Sequence, residues 1–301
     1  MNKIKTTLAT LIAAISLTSC SDWLDVSPKS QIKEEDHFSR EGGYKDQLTG
    51  IYTAMSQQAM YGLNMGIGFT EVLSHSYDID ASGSWRYANE FDYKNSSVES
   101  TIATIWQQTY NSIANVNILI RNINEASPQL FTENHYDTYR GEAYGLRGFL
   151  HLDLMRLFAC APSMDSNAKG VPYVTEYSTE VVGQKTVKET MQMVIDDLTK
   201  AREYLSTDSL KEGYSRYTQR ASRIPYFNYY AATLALARAY LWNGDKQNAL
   251  KYANEIIDCV EDSTSAKKNS KPFSWIHYTN MQATDRNELD MAFSCEHVFH
   301  L

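Results

Sequence analysis

The densest collection of side chains able to do chemistry lies between Ser76 and Lys94. There Asp78, Trp85, Arg86, Tyr87 and Asn89 bring together an acid, a guanidinium, an amide and two flat aromatic rings. Aromatic faces accept the C–H groups of a sugar ring. Acid, amide and guanidinium groups supply the paired donors and acceptors that hydroxyls require when they leave water. The run is therefore a candidate ligand platform. Trp85 and Tyr87 equally suit a second role, covering helices beneath them, and the sequence leaves both readings open.

Other reactive groups point to no catalytic centre. The chain has no G-x-S-x-G elbow, no H-E-x-x-H pair and no phosphate-binding glycine loop. Asp78-Ile79-Asp80-Ala81-Ser82-Gly83 resembles the first half of an EF-type calcium loop. Its twelfth position is Asn89, however, and Glu90 comes one place late. No cofactor is expected, with calcium as the lesser alternative. His297 and His300 have metal-compatible spacing but lack further ligands, so no metal site is expected either. Asp196-Asp197 falls on a helical pattern and reads as a solvated face. Cys160, Cys259 and Cys295 form no C-x-x-C pair and read as buried free thiols.

The elements that must carry these groups are helical. Tyr44, Leu48, Ile51, Tyr52 and Met55 recur at helical spacing and predict a helix over 44–60. The segment 61–97, with Gly62, Gly66, Gly68 and Gly83, reads as a long loop, a length that in a compact domain usually signals function. One stripe from Val98 through Ile105, Trp106, Ile113 and Ile123 predicts a second helix that ends before Pro128. A third runs over 135–158, with Ala143, Leu146, Phe149, Leu150, Leu154 and Leu157 inward. A fourth opens on Thr186, where Glu189 completes a capping box. Helices over 225–242 and 246–260 flank Gly244-Asp245, with Ala237, Ala249 and Ala253 small enough for close crossing. That is the tetratricopeptide pattern, and the pair 98–126 and 135–158 reads as a degenerate second copy. The stretch 262–272 reads as loop, and the tail 287–301 alternates like a strand.

The N-terminus reads as a leader. Lys3 and Lys5 precede an apolar stretch from Leu8 to Leu17, too short to cross a bilayer, and Thr18-Ser19 lead into Cys20. This fits a bacterial lipobox with Cys20 as the lipidated residue. Residues 1–19 are then the signal peptide, 20–43 an extended lipidated tether, and 44–301 one helical domain. Loss of Lys3 and Lys5 shifts the net charge from −8 to −10, which leaves no basic footprint for nucleic acid.

Several short patterns in order resemble the SusD/RagB family of outer-membrane nutrient-binding lipoproteins. They are Cys20-Ser21-Asp22-Trp23-Leu24-Asp25, Gly50-Ile51-Tyr52-Thr53-Ala54-Met55, and Trp106 with Tyr110, Ile113, Asn117 and Ile123. Glu142-Ala143-Tyr144-Gly145-Leu146-Arg147-Gly148-Phe149, Val171-Pro172-Tyr173 and Asp197-Leu198 follow, ahead of the repeat at 225–260. The resemblance implies an all-α, tetratricopeptide-like scaffold with long irregular loops. It also implies a surface-exposed outer-membrane lipoprotein that binds oligosaccharides or peptides and docks on a TonB-dependent SusC-type transporter, without catalysis. The loop after the first helix contributes to the ligand site in that family, and Asp22 and Asp25 resemble its surface-export signal. Family members continue well past the position where this chain stops, so much of the C-terminal half is expected to be lacking. The alternative is a tetratricopeptide lipoprotein scaffold that binds a protein partner; a helical glycan-processing enzyme ranks third. The anchor is testable by itself. Cys20→Ala should abolish palmitate labelling and membrane partitioning while Cys160→Ala preserves both, and palmitate on the Cys20→Ala protein would contradict the lipobox.

Overall fold

The computed structural model describes residues 33–212, 223–261, 271–276, 278–282 and 293–299. Cys20, the expected leader, most of the expected tether, residues 262–270 of the expected loop 262–272, most of the tail 287–301 and His300 lie outside them. Contacts divide the chain into two compact units, residues 1–40 and 41–301. In the described part of the first, Glu34–His37 forms one helical turn where an extended tether was expected.

The second unit is built from helices α1 (Glu41–Met55), α2 (Phe69–Leu73), α3 (Arg86–Asn89), α4 (Ser96–Glu125), α5 (His135–Phe158), α6 (Val187–Tyr204), α7 (Tyr229–Trp242) and α8 (Lys246–Ile257). The long helices pack in chain order, α1 on α4, α4 on α5, α5 on α6, α6 on α7 and α7 on α8. The fold is all-α. Among the described residues the only sheet is a parallel pairing of Val260–Glu261 with Phe273–Ser274.

Local chemistry sets the helix starts. Asn95, Thr186, Asn228 and Asp245 each accept a backbone N–H with the side chain, and Glu189 returns a bond to the Thr186 backbone. Asn228 explains why α7 begins at Tyr229 rather than at 225. Further differences from expectation have physical reasons. α1 stops at Met55 because the chain turns through a series of tight backbone bonds from Ser56 onward. The presumed loop 61–97 contains α2 and α3, each too short to show a helical period. Leu157 is 36% exposed rather than inward. Cys160, Cys259 and Cys295 are free but only half-buried.

α5 is the centre of the stack, with most of its side chains buried on all sides. Its glycines are contact surfaces. A Cβ on Gly141 would sit 2.5 Å from Leu205, on Gly148 2.9 Å from Leu198, and on Gly145 2.2 Å from the fully buried Phe227 ring. These gaps let α6 and the start of α7 approach the α5 backbone.

Such close packing buries charge as well. Arg147 on α5 donates from Nε and Nη2 to the two carboxylate oxygens of Asp197 on α6, at 2.6 and 2.8 Å. Its Nη1 donates to Asn117 Oδ1 on α4 and to the Thr175 carbonyl. Asp197 is 4% exposed, so it is no part of a solvated face; only its neighbour Asp196 is solvated. Tyr173 donates to Asp197 at 2.5 Å, and burial beside that carboxylate pushes its phenol well above the ordinary range, so it remains a donor. Tyr110 and Asn117 hold the carbonyls of Pro172 and Val174, pinning the strap 170–175 across the helices. A second network ties α1 to α5: Tyr52 and Arg223 each donate at 2.6 Å to Glu142, and Arg223 also pairs with Asp208 at 2.8 Å.

His151 sits one turn beyond Arg147, stacked on Tyr173 with ring centroids 3.9 Å apart. Nε2 accepts from the Val174 N–H, which places the proton on Nδ1 for the Arg147 carbonyl. Burial pushes its pKa down to about 4, below the ordinary 6.5. The folded state therefore holds a neutral ring whose contribution is complete above pH 6.5 and is lost as pH falls toward 4. Urea titrations should show about 3 kcal/mol of stability lost across that window from this group, and His151→Gln should flatten that part of the profile. Asp197→Ala should cost about 3–5 kcal/mol by leaving Arg147 buried without its carboxylate. A loss below 1 kcal/mol would show that water replaces the pair.

Candidate functional site

The sharpest local feature lies between α1 and α4. α2 and α3 end in the same way, each with a Schellman turn in which the residue after the cap is left-handed. For α2, the N–H groups of His75 and Ser76 bond the carbonyls of Val72 and Glu71. For α3, those of Phe91 and Asp92 bond Ala88 and Tyr87. The left-handed residues are His75, at φ 57°, and Phe91, at φ 54°. Glycine ordinarily fills this position because a Cβ there costs on the order of 1 kcal/mol. The turn after α7 follows that rule, with Gly244 at φ 84° making the same pair of bonds.

At His75 and Phe91 the backbone cost coincides with a ring-on-ring contact. Their centroids lie 5.1 Å apart at 30°, and Tyr93 extends the row 6.4 Å from Phe91. His75 Nε2 meets the Asn89 carbonyl at 2.9 Å, which joins the two turns. Phe91 and Tyr93 are 45% and 52% exposed. Nearby in sequence, Tyr77 is also exposed and donates to the Ile67 carbonyl at 2.7 Å. Strained backbone that holds exposed apolar rings is a pattern associated with binding sites.

The five residues singled out from sequence divide. Trp85 and Tyr87 are half-buried and pack against the cluster of Phe69, Val72, Ala88, Val98 and Ile105. The Arg86 guanidinium lies 4.3 Å above the Tyr87 ring and hydrogen-bonds the Tyr87 hydroxyl. Asn89 joins the row through its carbonyl. Asp78 is exposed, and no hydrogen bond among the described residues ties it to the other four. Asp80 uses its carboxylate on the backbone N–H and hydroxyl of Ser82, and no group of three metal-ligating side chains gathers among the described residues. The exposed rings escaped notice in the sequence. Their signal was present, since Phe91 and Tyr93 alternate with the charged Asp92 and Lys94 outside any apolar pattern.

The pattern of a SusD-like family, described as starch-binding and associating with the outer membrane, matches residues 22–241. The chain belongs to this SusD-like family. SusD-like protein P2 of Formosa agariphila is 25% identical over 260 residues, which cover 86% of this chain and 46% of the relative. Among solved structures, a SusD superfamily protein from Bacteroides thetaiotaomicron aligns with a TM-score of 0.60 at 23% identity, over 80% of this chain and 49% of the other. A laminarin-binding SusD-like protein aligns with a TM-score of 0.57 at 16% identity, over 83% and 50%. These structures share the fold. The chain spans about half the length of the curated relatives it matches.

The two kinds of turn make opposite demands on substitution. Gly244→Ala should destabilise by about 1 kcal/mol, whereas Phe91→Gly should leave stability unchanged or raise it by up to about 1 kcal/mol. Urea denaturation of both variants checks this. A loss above 1 kcal/mol in Phe91→Gly would mean that the ring serves the fold.

Proposed function

We propose that this SusD-like protein captures an oligosaccharide on the exposed row His75, Phe91 and Tyr93 and hands it to a TonB-dependent SusC-type transporter. The observation that carries the reading is the pair of strained turns, which hold aromatic faces in solvent at a backbone cost that the turn after α7 avoids with Gly244. The family's starch-binding description and the laminarin-binding fold relative support a saccharide over other ligands. On this reading Asp78, Arg86 and Asn89 are the candidate hydroxyl partners, and the half-buried Trp85 and Tyr87 pack on the cluster that carries α2 and α3. No bond is broken in this role, and the protein is a binder rather than an enzyme. Lipid on Cys20 holds it at the outer-membrane surface.

A glycan-array screen followed by calorimetry tests the reading. An oligosaccharide from the starch or laminarin class should bind without turnover. Phe91→Ala and Tyr93→Ala should each weaken it about tenfold, equivalent to ~1.4 kcal/mol, with melting temperatures unchanged. Binding untouched by both substitutions would remove the row from the site. Product release would make the protein an enzyme.

A further inference from the structure

A separate cleft of about 730 Å³ opens where α5, the C-terminal end of α7 and the chain around α2 meet. Tyr61, Phe149 and Trp242 give it aromatic walls, and Asp153, Arg156 and Arg238 meet inside it. The Asp153 side chain is only 10% exposed. One of its oxygens accepts the Tyr61 hydroxyl at 2.9 Å; the other accepts both Arg156 Nη1 and Arg238 Nη2, at 3.2 Å each.

Two cations therefore share one carboxylate oxygen. Among the described residues, Arg147 and Arg223 are matched differently. Arg147 has the whole of Asp197, and Arg223 has both Glu142 and Asp208. Arg156 and Arg238 each commit one N–H to Asp153, and their side chains remain 45% and 38% exposed toward the cleft. The Arg238 guanidinium carbon also lies 5.7 Å from the centroid of the Phe149 ring. Glu71 lines the same cleft, yet no ion pair joins it to either arginine among the described residues. The lining thus sets two guanidiniums against two carboxylates, and the buried Asp153 engages only one N–H of each arginine. Planar guanidinium forks match carboxylate and sulfate oxygens, and the aromatic walls suit the apolar face of a sugar.

We propose that this cleft binds the anionic group of an acidic saccharide, a uronate carboxylate or a sulfate ester, between Arg156 and Arg238. The proposal rests on the saccharide-binding reading above and adds a ligand class and a second site to it. Calorimetry with trigalacturonate, a sulfated galactose trisaccharide, maltotriose and triglutamate tests it. At least one acidic sugar should bind about tenfold more tightly than maltotriose, and which one binds distinguishes carboxylate from sulfate. Arg156→Gln and Arg238→Gln should each erase that preference and leave maltotriose affinity unchanged. Glu71→Gln, which touches neither arginine, should tighten acidic-sugar binding severalfold, an effect that a purely structural cluster would not give. Maltotriose binding without acidic preference overturns the proposal while the saccharide reading stands. Failure of every sugar, with laminaritriose added to the panel, overturns both. An acidic preference that survives both arginine substitutions overturns the proposal, as does arginine-dependent binding of triglutamate alone, which would assign the cleft to peptide carboxylates.

Discussion

A guanidinium cannot enter a protein interior unless carboxylate and carbonyl oxygens are waiting for it, because desolvation of an unmatched charge costs several kcal/mol. Arg147, 6% exposed, imposes that condition on everything around it. Asp197 must come from α6, Asn117 from α4, and the Thr175 carbonyl from the strap that Tyr110 and Asn117 hold in place. Three helices and one irregular segment thus have a single mutual arrangement that satisfies the charge. The glycines of α5 make that arrangement sterically possible, since Gly148 lies against Leu198, the neighbour of Asp197.

The same helix α4 carries the candidate site at its N-terminal end. There Val98 and Ile105 form the floor on which Phe69, Val72 and Ala88 of the two short helices pack. Helices of four or five residues have little stability of their own. Seated on a fixed floor, they can carry left-handed His75 and Phe91 and keep two rings stacked in solvent. The strain is local and its support is distant, an arrangement that would hold the proposed binding surface ready before its ligand arrives.

Much of this was legible in the residues. The long helices followed from apolar periodicity, and Thr186 with Glu189 marked the start of α6 because a capping box is a short-range chemical fact. The tetratricopeptide-like pair was readable from Ala237, Gly244 and Ala249 for the same reason. Asp197 was misread because an aspartate on a helix is usually solvated, and its partner lies 50 residues away in sequence. α2 and α3 were hidden because one turn of helix has no period to detect. Composition marked the candidate run, but it does not say which ring faces solvent. Trp85 and Tyr87 are the larger or more polar choices, yet they rest on the cluster around Val98, while Phe91 and Tyr93 stand exposed beyond the end of α3.

The central claim is that a saccharide meets the rings of His75, Phe91 and Tyr93 directly. Intermolecular nuclear Overhauser effects between an unlabelled oligosaccharide and the isotope-labelled protein measure that contact. The account predicts cross-peaks from sugar C–H protons to the ring protons of Phe91 and Tyr93. Cross-peaks confined to other aromatic residues, with none to this row, would contradict it.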